Sequence, residues 1–228
     1  MNNPKQLAFP WNKINKSSLL GFYASKKNLE LLTFLRDEIF LDDLYIYGAK
    51  GSGKTYLLQA MCNKYTSLGK TSFYIPLKHA MDYGTDILES IEKMNLICID
   101  GIEEVISDEL WERAIFDLIN RAFLSKSRLI MTSSSDLQSL HFLLPDLESR
   151  IRKIQGHELY SIDDNEIHDA LKYISNFASI NLGEKEAKYL ITYAKRDISN
   201  LVQILESLDK LSLEMKRKIT IPLIRELI

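Results

Sequence analysis

One stretch, Gly48-Ala49-Lys50-Gly51-Ser52-Gly53-Lys54-Thr55, constrains this chain more than any other. An apolar run, Leu44-Tyr45-Ile46-Tyr47, precedes it, and a helical pattern, Tyr56-Leu57-Leu58-Gln59-Ala60-Met61, follows. Strand, glycine-rich turn and helix in that order form the setting of a phosphate-binding loop. Small residues let successive backbone N–H groups converge on phosphate oxygens, and the helix N-terminus adds the positive end of its dipole. In this reading Gly48, Gly51, Ser52 and Gly53 shape the cradle. Lys54 reaches the β- and γ-phosphates of bound ADP or ATP, and Thr55 offers its hydroxyl to Mg2+. The competing reading is a tight glycine turn carrying a surface lysine.

Composition narrows the rest. The 228 residues are 46% apolar, enough for one medium domain or a domain with a small appendage. A net charge of −2 gives no global sign of nucleic-acid binding. The two cysteines, Cys62 and Cys98, have no metal-ligand spacing and lie in apolar stretches. They read as buried free thiols of a reducing cytoplasm. No uncharged apolar run is long enough to span a membrane, and no signal peptide is recognised, so no membrane partner is expected. Residues 1–27 carry five lysines and no acid, whereas residues 81–112 carry ten acids and one lysine. Charge runs of this kind ordinarily form solvated surface.

Along the chain, residues 1–20 read as a flexible arm, with Pro4 and Pro10 disfavouring helix. Within it, Gln6-Leu7-Ala8-Phe9-Pro10-Trp11 reads either as a docking peptide anchored by Leu7 and Phe9, with Gln6 supplying amide hydrogen bonds, or as a terminus folded back on its own domain. A helix with an apolar stripe of Leu29, Leu32, Leu35 and Ile39 comes next. Strands are expected at 44–47, 71–75, 96–99, 128–132 and 158–162, and helices at 56–68, 85–93, 108–124 and 136–143. The helix after the glycine loop is read from Tyr56 to about Leu68, and in the helix over 108–124, Leu110, Trp111, Ile115, Leu118, Ile119 and Phe123 are expected inside. After residue 162 only helices are expected, at 163–180, 184–195 and 199–212, with a last one from Thr220-Ile221-Pro222. The first opens on Asp163-x-x-Glu166, which has the form of a capping box. This pattern predicts an α/β fold: a parallel five-stranded sheet over 21–162 flanked by helices, then a small all-helical lid over 163–228.

A phosphate loop needs an acidic partner, and Asp100, at the end of Leu96-Ile97-Cys98-Ile99, is the candidate for holding Mg2+. A strand-end aspartate that merely caps a turn is the alternative. With these two motifs and a helical tail, the chain resembles the AAA+ ATPases, and within them the DnaA initiator family. Phe22-Tyr23-x-x-x-x-Asn28 looks like the family's motif near the adenine, which implies a nucleotide contact for Tyr23. Arg128-Leu-Ile-Met-Thr132-Ser133 looks like the sensor-1 strand, and Leu144-Pro-Asp-Leu-Glu-Ser-Arg150 looks like the segment carrying the arginine finger. Lys218-Ile219-Thr220-Ile221-Pro222 resembles the start of the lid's final helix. The hexapeptide is similar to the peptides that bind the bacterial sliding clamp. Together with a bare AAA+ module, it resembles the layout of the Hda group of DnaA regulators.

The resemblance implies a negative regulator of replication initiation with DnaA and the β sliding clamp as partners, and with DNA reached through the clamp. A homo-oligomer is also admitted. Arg150 would act in trans on DnaA-bound ATP, while Gln6, Leu7 and Phe9 would grip the clamp. A helicase loader of the DnaC type is the alternative. Three positions depart from the family pattern. Gly101 stands where AAA+ motors carry the acid that polarises water, with Glu103 or Glu104 nearby as replacements. Ser134 replaces a common aspartate. Ser199 aligns with the lid's sensor-2 arginine, and Arg196 lies three residues before it. These departures imply at most weak intrinsic ATPase activity.

Overall fold

A computed structural model describes residues 17–37, 42–195 and 197–228. Ile39 and nearly all of the proposed arm lie outside them. Five strands form one parallel sheet: β1 (Leu44–Tyr47), β2 (Ser72–Pro76), β3 (Leu96–Asp100), β4 (Arg128–Ser133) and β5 (Gln155–Glu158), in the order β2-β3-β4-β1-β5. The apolar runs of β1, β3 and β4 fit strands covered on both faces. Helices in chain order are α1 (Leu29–Arg36), α2 (Lys54–Ser67), α3 (Leu77–Ala80), α4 (Glu109–Ser125), α5 (Pro145–Ile151), α6 (Ile167–Phe177), α7 (Glu184–Tyr193), α8 (Ile198–Met215) and α9 (Ile221–Arg225). Among the described residues, no helix is long and apolar enough to cross a membrane.

The chain divides into two compact units. Of the described residues, the first gathers 17–18, 37, 42–47 and 54–158, and the second gathers 19–36, 48–53, 159–195 and 197–228. The core of the first unit joins Tyr45, Ile75, Ile97, Ile99, Trp111, Ile115, Leu118, Met131 and Leu147. Each such large side chain contributes roughly 1.5–3 kcal/mol by leaving water. In α4 the Asp108 carboxylate caps the first turn by accepting the Trp111 N–H at 3.1 Å, and Lys126 ends the helix in the left-handed region. The second unit has its own core of Ile167, Leu171, Leu190, Leu201, Leu205, Leu208 and Ile224.

Several elements differ from the sequence pattern. Residues 85–93 form two 3-10 turns, because Gly84 and Ser90 take φ of 79° and 65°, which interrupts a helix. Residues 136–143 form no helix. The Asp136 carboxylate accepts the backbone N–H groups of Gln138 and Ser139 and the Ser139 hydroxyl, offering that backbone an alternative to helix. The fifth strand lies three residues earlier than the apolar signal. It is a sheet edge paired only with β1, where polar residues are tolerated, while Leu159 is buried beyond it. Helix α6 starts at Ile167 without the capping box, since the Asp163 carboxylate takes the Lys27 ammonium at 2.8 Å. Leu110 and Phe123 are exposed rather than core; the Phe123 ring lies beneath the Arg150 guanidinium, 5.7 Å from its centroid. Cys98 is buried as expected, with its thiol pushed up by burial, but Cys62 is only half-buried.

Candidate phosphate-binding site

The carboxyl ends of β1, β3 and β4 lie side by side in the sheet, the edge at which open α/β sheets bind ligands. The chain leaves β1 into the glycine loop and opens α2 with Lys54 and Thr55. Asp100 ends β3 and collects three hydroxyls. Its Oδ2 accepts from Thr55 at 2.7 Å and Tyr74 at 2.8 Å, and its Oδ1 accepts from Thr132 at 2.6 Å. The Thr55–Asp100 pair thus joins the start of α2 to the tip of β3. Burial and the adjacent Asp100 charge push the Tyr74 phenol well up, so it stays a neutral donor. Burial also lowers the Lys54 ammonium below its ordinary value, while the Glu103 and Asp100 carboxylates pull it back.

The glycine loop itself belongs to the second unit. A Cβ on Gly48 would lie 2.3 Å from the Leu159 carbonyl oxygen, so only glycine fits there. Gly51 takes φ of 86° and faces Asp197, whose carboxylate would lie within 3 Å of a Cβ. The Ser199 hydroxyl donates to the Gly51 carbonyl at 2.8 Å, and the Asp197 carboxylate caps α8 by accepting the Ser199 N–H at 2.9 Å. Ser199 thus bonds the loop backbone directly. Ser52 turns the chain by donating its N–H to the Ala49 carbonyl, while its buried hydroxyl has no hydrogen-bond partner. That orphaned hydroxyl fits a loop awaiting oxygen ligands. One hydroxyl and one carboxylate are also the hard-oxygen set that Mg2+ uses when phosphates and water complete its shell.

Tyr23 lies in the second unit, edge-on to Tyr173 with ring centroids 5.8 Å apart, and burial raises its phenol pKa. Asn28 is buried and exchanges two hydrogen bonds with the Tyr160 backbone. Arg150, on α5, donates its Nε–H to Asn120 Oδ1 at 3.0 Å, and Glu148 pairs with Arg152. Gln6, Leu7, Phe9 and Arg196 lie outside the described residues. Tyr74, Asn120 and Asp197 were not anticipated. Their positions follow from strand register and helix packing, which a local pattern does not carry.

Comparisons with known proteins bear on the fold. A family model of the AAA domain matches residues 43–168, and a model of the Hda lid domain matches residues 163–228. An uncharacterized protein of Haemophilus influenzae is 36% identical over 98% of both chains. Domain III of the Thermotoga maritima replication initiation protein DnaA superposes with a TM-score of 0.75 at 17% identity, covering 95% of this chain and 97% of that one. AMPPCP-bound DnaA from Aquifex aeolicus gives a TM-score of 0.68 at 20% identity, covering 89% and 69%. The chain belongs to the AAA+ family: a DnaA-like module whose C-terminal helices form an Hda-type lid.

Proposed function

We propose that this protein is a negative regulator of replication initiation, a nucleotide-held AAA+ module that docks on the DNA-loaded sliding clamp and hastens hydrolysis of DnaA-bound ATP. The match of residues 163–228 to the Hda lid carries this reading. The paired Thr55 and Asp100 support its nucleotide part. Gly48, Gly51, Ser52, Gly53 and Lys54 cradle the phosphates of ADP or ATP, Tyr23 and Arg196 add further nucleotide contacts, and Thr55 with Asp100 holds Mg2+. The ion offsets phosphate charge. Gln6, Leu7 and Phe9 dock in the clamp groove, which concentrates Arg150 near DnaA.

The test is DnaA-ATP hydrolysis with clamp loaded on DNA. Wild-type protein is expected to accelerate it, and Gln6→Ala/Leu7→Ala is expected to lose both clamp binding and the acceleration. Clamp binding that survives the double change would remove the arm from this role, and wild-type protein without effect would overturn the regulator reading. A second expectation concerns nucleotide alone. At about 100 times the dissociation constant a ligand stabilises its protein by roughly 2.7 kcal/mol. Thermal melting of wild-type protein should therefore rise with Mg-ADP, and Lys54→Met should abolish that rise.

A further inference from the structure

The hydroxyl of Tyr74 has no assigned part in that reading. Tyr74 is buried in β2, where a phenylalanine would bury the same ring. Register sets Tyr74 beside Cys98 and Ile99 beside Met131, so Tyr74, Asp100 and Thr132 share one face of three adjacent strands. Helix α2 lies on that face. The Cys98 thiol donates to its Leu58 carbonyl at 3.7 Å, and the Ser72 hydroxyl donates to its Cys62 carbonyl at 3.2 Å. Thr55, in the first turn of α2, brings the last hydroxyl to Asp100.

The hydroxyls differ in what they can do. Tyr74 and Thr132 come from the strands on either side of β3, and each holds one carboxylate oxygen: Oδ2 at 2.8 Å and Oδ1 at 2.6 Å. The Gly101 N–H donates to the Thr132 hydroxyl oxygen at 3.2 Å, which leaves that hydroxyl's proton for Asp100. The last torsion of an aspartate is broad, so its carboxylate turns unless both oxygens are held. Thr55 donates to the same Oδ2 as Tyr74, at 2.7 Å, and its lone pairs stay free for an ion. A carboxylate has about four acceptor sites. With Thr55, Tyr74 and Thr132 on Asp100, the remaining one suits Mg2+ or a water of its shell.

We propose that Tyr74 is a positioning residue for the metal: its hydroxyl fixes the Asp100 carboxylate in the orientation that holds Mg2+ with Thr55, and so sets how tightly the ion is bound. This rests on the nucleotide-binding reading above. In this role Tyr74 touches neither ion nor nucleotide and acts through Asp100. Groups that hydrogen-bond a metal-holding carboxylate typically govern metal affinity by about 10–100-fold. A phenol that had merely found an acceptor on burial would give up its hydroxyl without consequence for the metal.

Tyr74→Phe is the test, because it keeps the ring and removes only the hydroxyl. Mant-ADP fluorescence, followed as Mg2+ is added to the protein, reads the half-saturating concentration of the ion. That concentration should rise about 10–100-fold in Tyr74→Phe, while mant-ADP affinity measured in EDTA stays at the wild-type value. An unchanged Mg2+ requirement in Tyr74→Phe overturns the proposal. So does an equal loss of mant-ADP affinity with and without Mg2+, the mark of a disturbed fold. Wild-type protein that binds mant-ADP equally well in Mg2+ and in EDTA also overturns it, while the phosphate-loop reading stands. Wild-type protein that binds no mant-ADP under either condition overturns the phosphate-loop reading, and this proposal with it.

Discussion

Arg150→Ala is expected to retain nucleotide and clamp binding but lose the acceleration of DnaA-ATP hydrolysis. An arginine delivered in trans stabilises the charge on the transferring phosphoryl group and is worth about 10³–10⁵ in rate in known GTPase cases. That corresponds to roughly 4–7 kcal/mol of barrier. In the structure Arg150 is half-buried on α5, held through Nε by Asn120 and laid over the Phe123 ring. The Nε bond fixes the plane of the guanidinium, a preorganised fork of the kind that recognises phosphate. Arg150→Lys should therefore rescue little, since an ammonium lacks the planar fork. Undiminished stimulation by Arg150→Ala, read as phosphate released from DnaA-bound ATP, would remove Arg150 from the role.

The second large effect is on stability. Glu112 lies wholly out of solvent on α4. Its Oε1 accepts the N–H groups of Ser107 and Leu143, each at 3.0 Å, and its Oε2 accepts that of Leu144 at 2.7 Å. Bonds to a charged acceptor are the strong kind, and they offset the cost of burying the carboxylate. Glu112→Ala strands three donors and leaves a cavity, at a cost of about 3 kcal/mol. For a chain of this size that lowers the melting temperature by roughly 6–12 °C. Because Leu143 and Leu144 lead into α5, Glu112→Ala should also weaken stimulation of DnaA in protein that remains folded. Glu112→Gln, which keeps one acceptor oxygen, should lose less of both. Calorimetric melting beside the DnaA assay checks this; equal melting of Glu112→Ala and wild type would show that the three bonds carry no net stability.

The glycine loop, the strand-end Asp100 and the amphipathic α4 were legible because each is written in contiguous residues with a local period. So were the strand–helix alternation and the switch to helices after β5. Legibility failed where local chemistry competed with the pattern. Asp136 hydrogen-bonds its neighbours' backbone and prevents the helix expected over 136–143. The polar edge strand Gln155–Glu158 carries no apolar signal and is held by its pairing with β1. Leu110 and Phe123 satisfied the apolar spacing of α4 but fall off its core face.

The sequence by itself determined the glycine loop and the order of elements, since both depend on neighbours along the chain. Only the tertiary structure decided what meets Asp100 within the one unit and what meets the glycine loop within the other. Asp100 gathers hydroxyls from Thr55, Tyr74 and Thr132, which come from α2, β2 and β4. Ser199 reaches the Gly51 carbonyl from 148 residues away. Such meetings are set by strand register and helix packing, in which a shift of one residue turns a side chain to the opposite face.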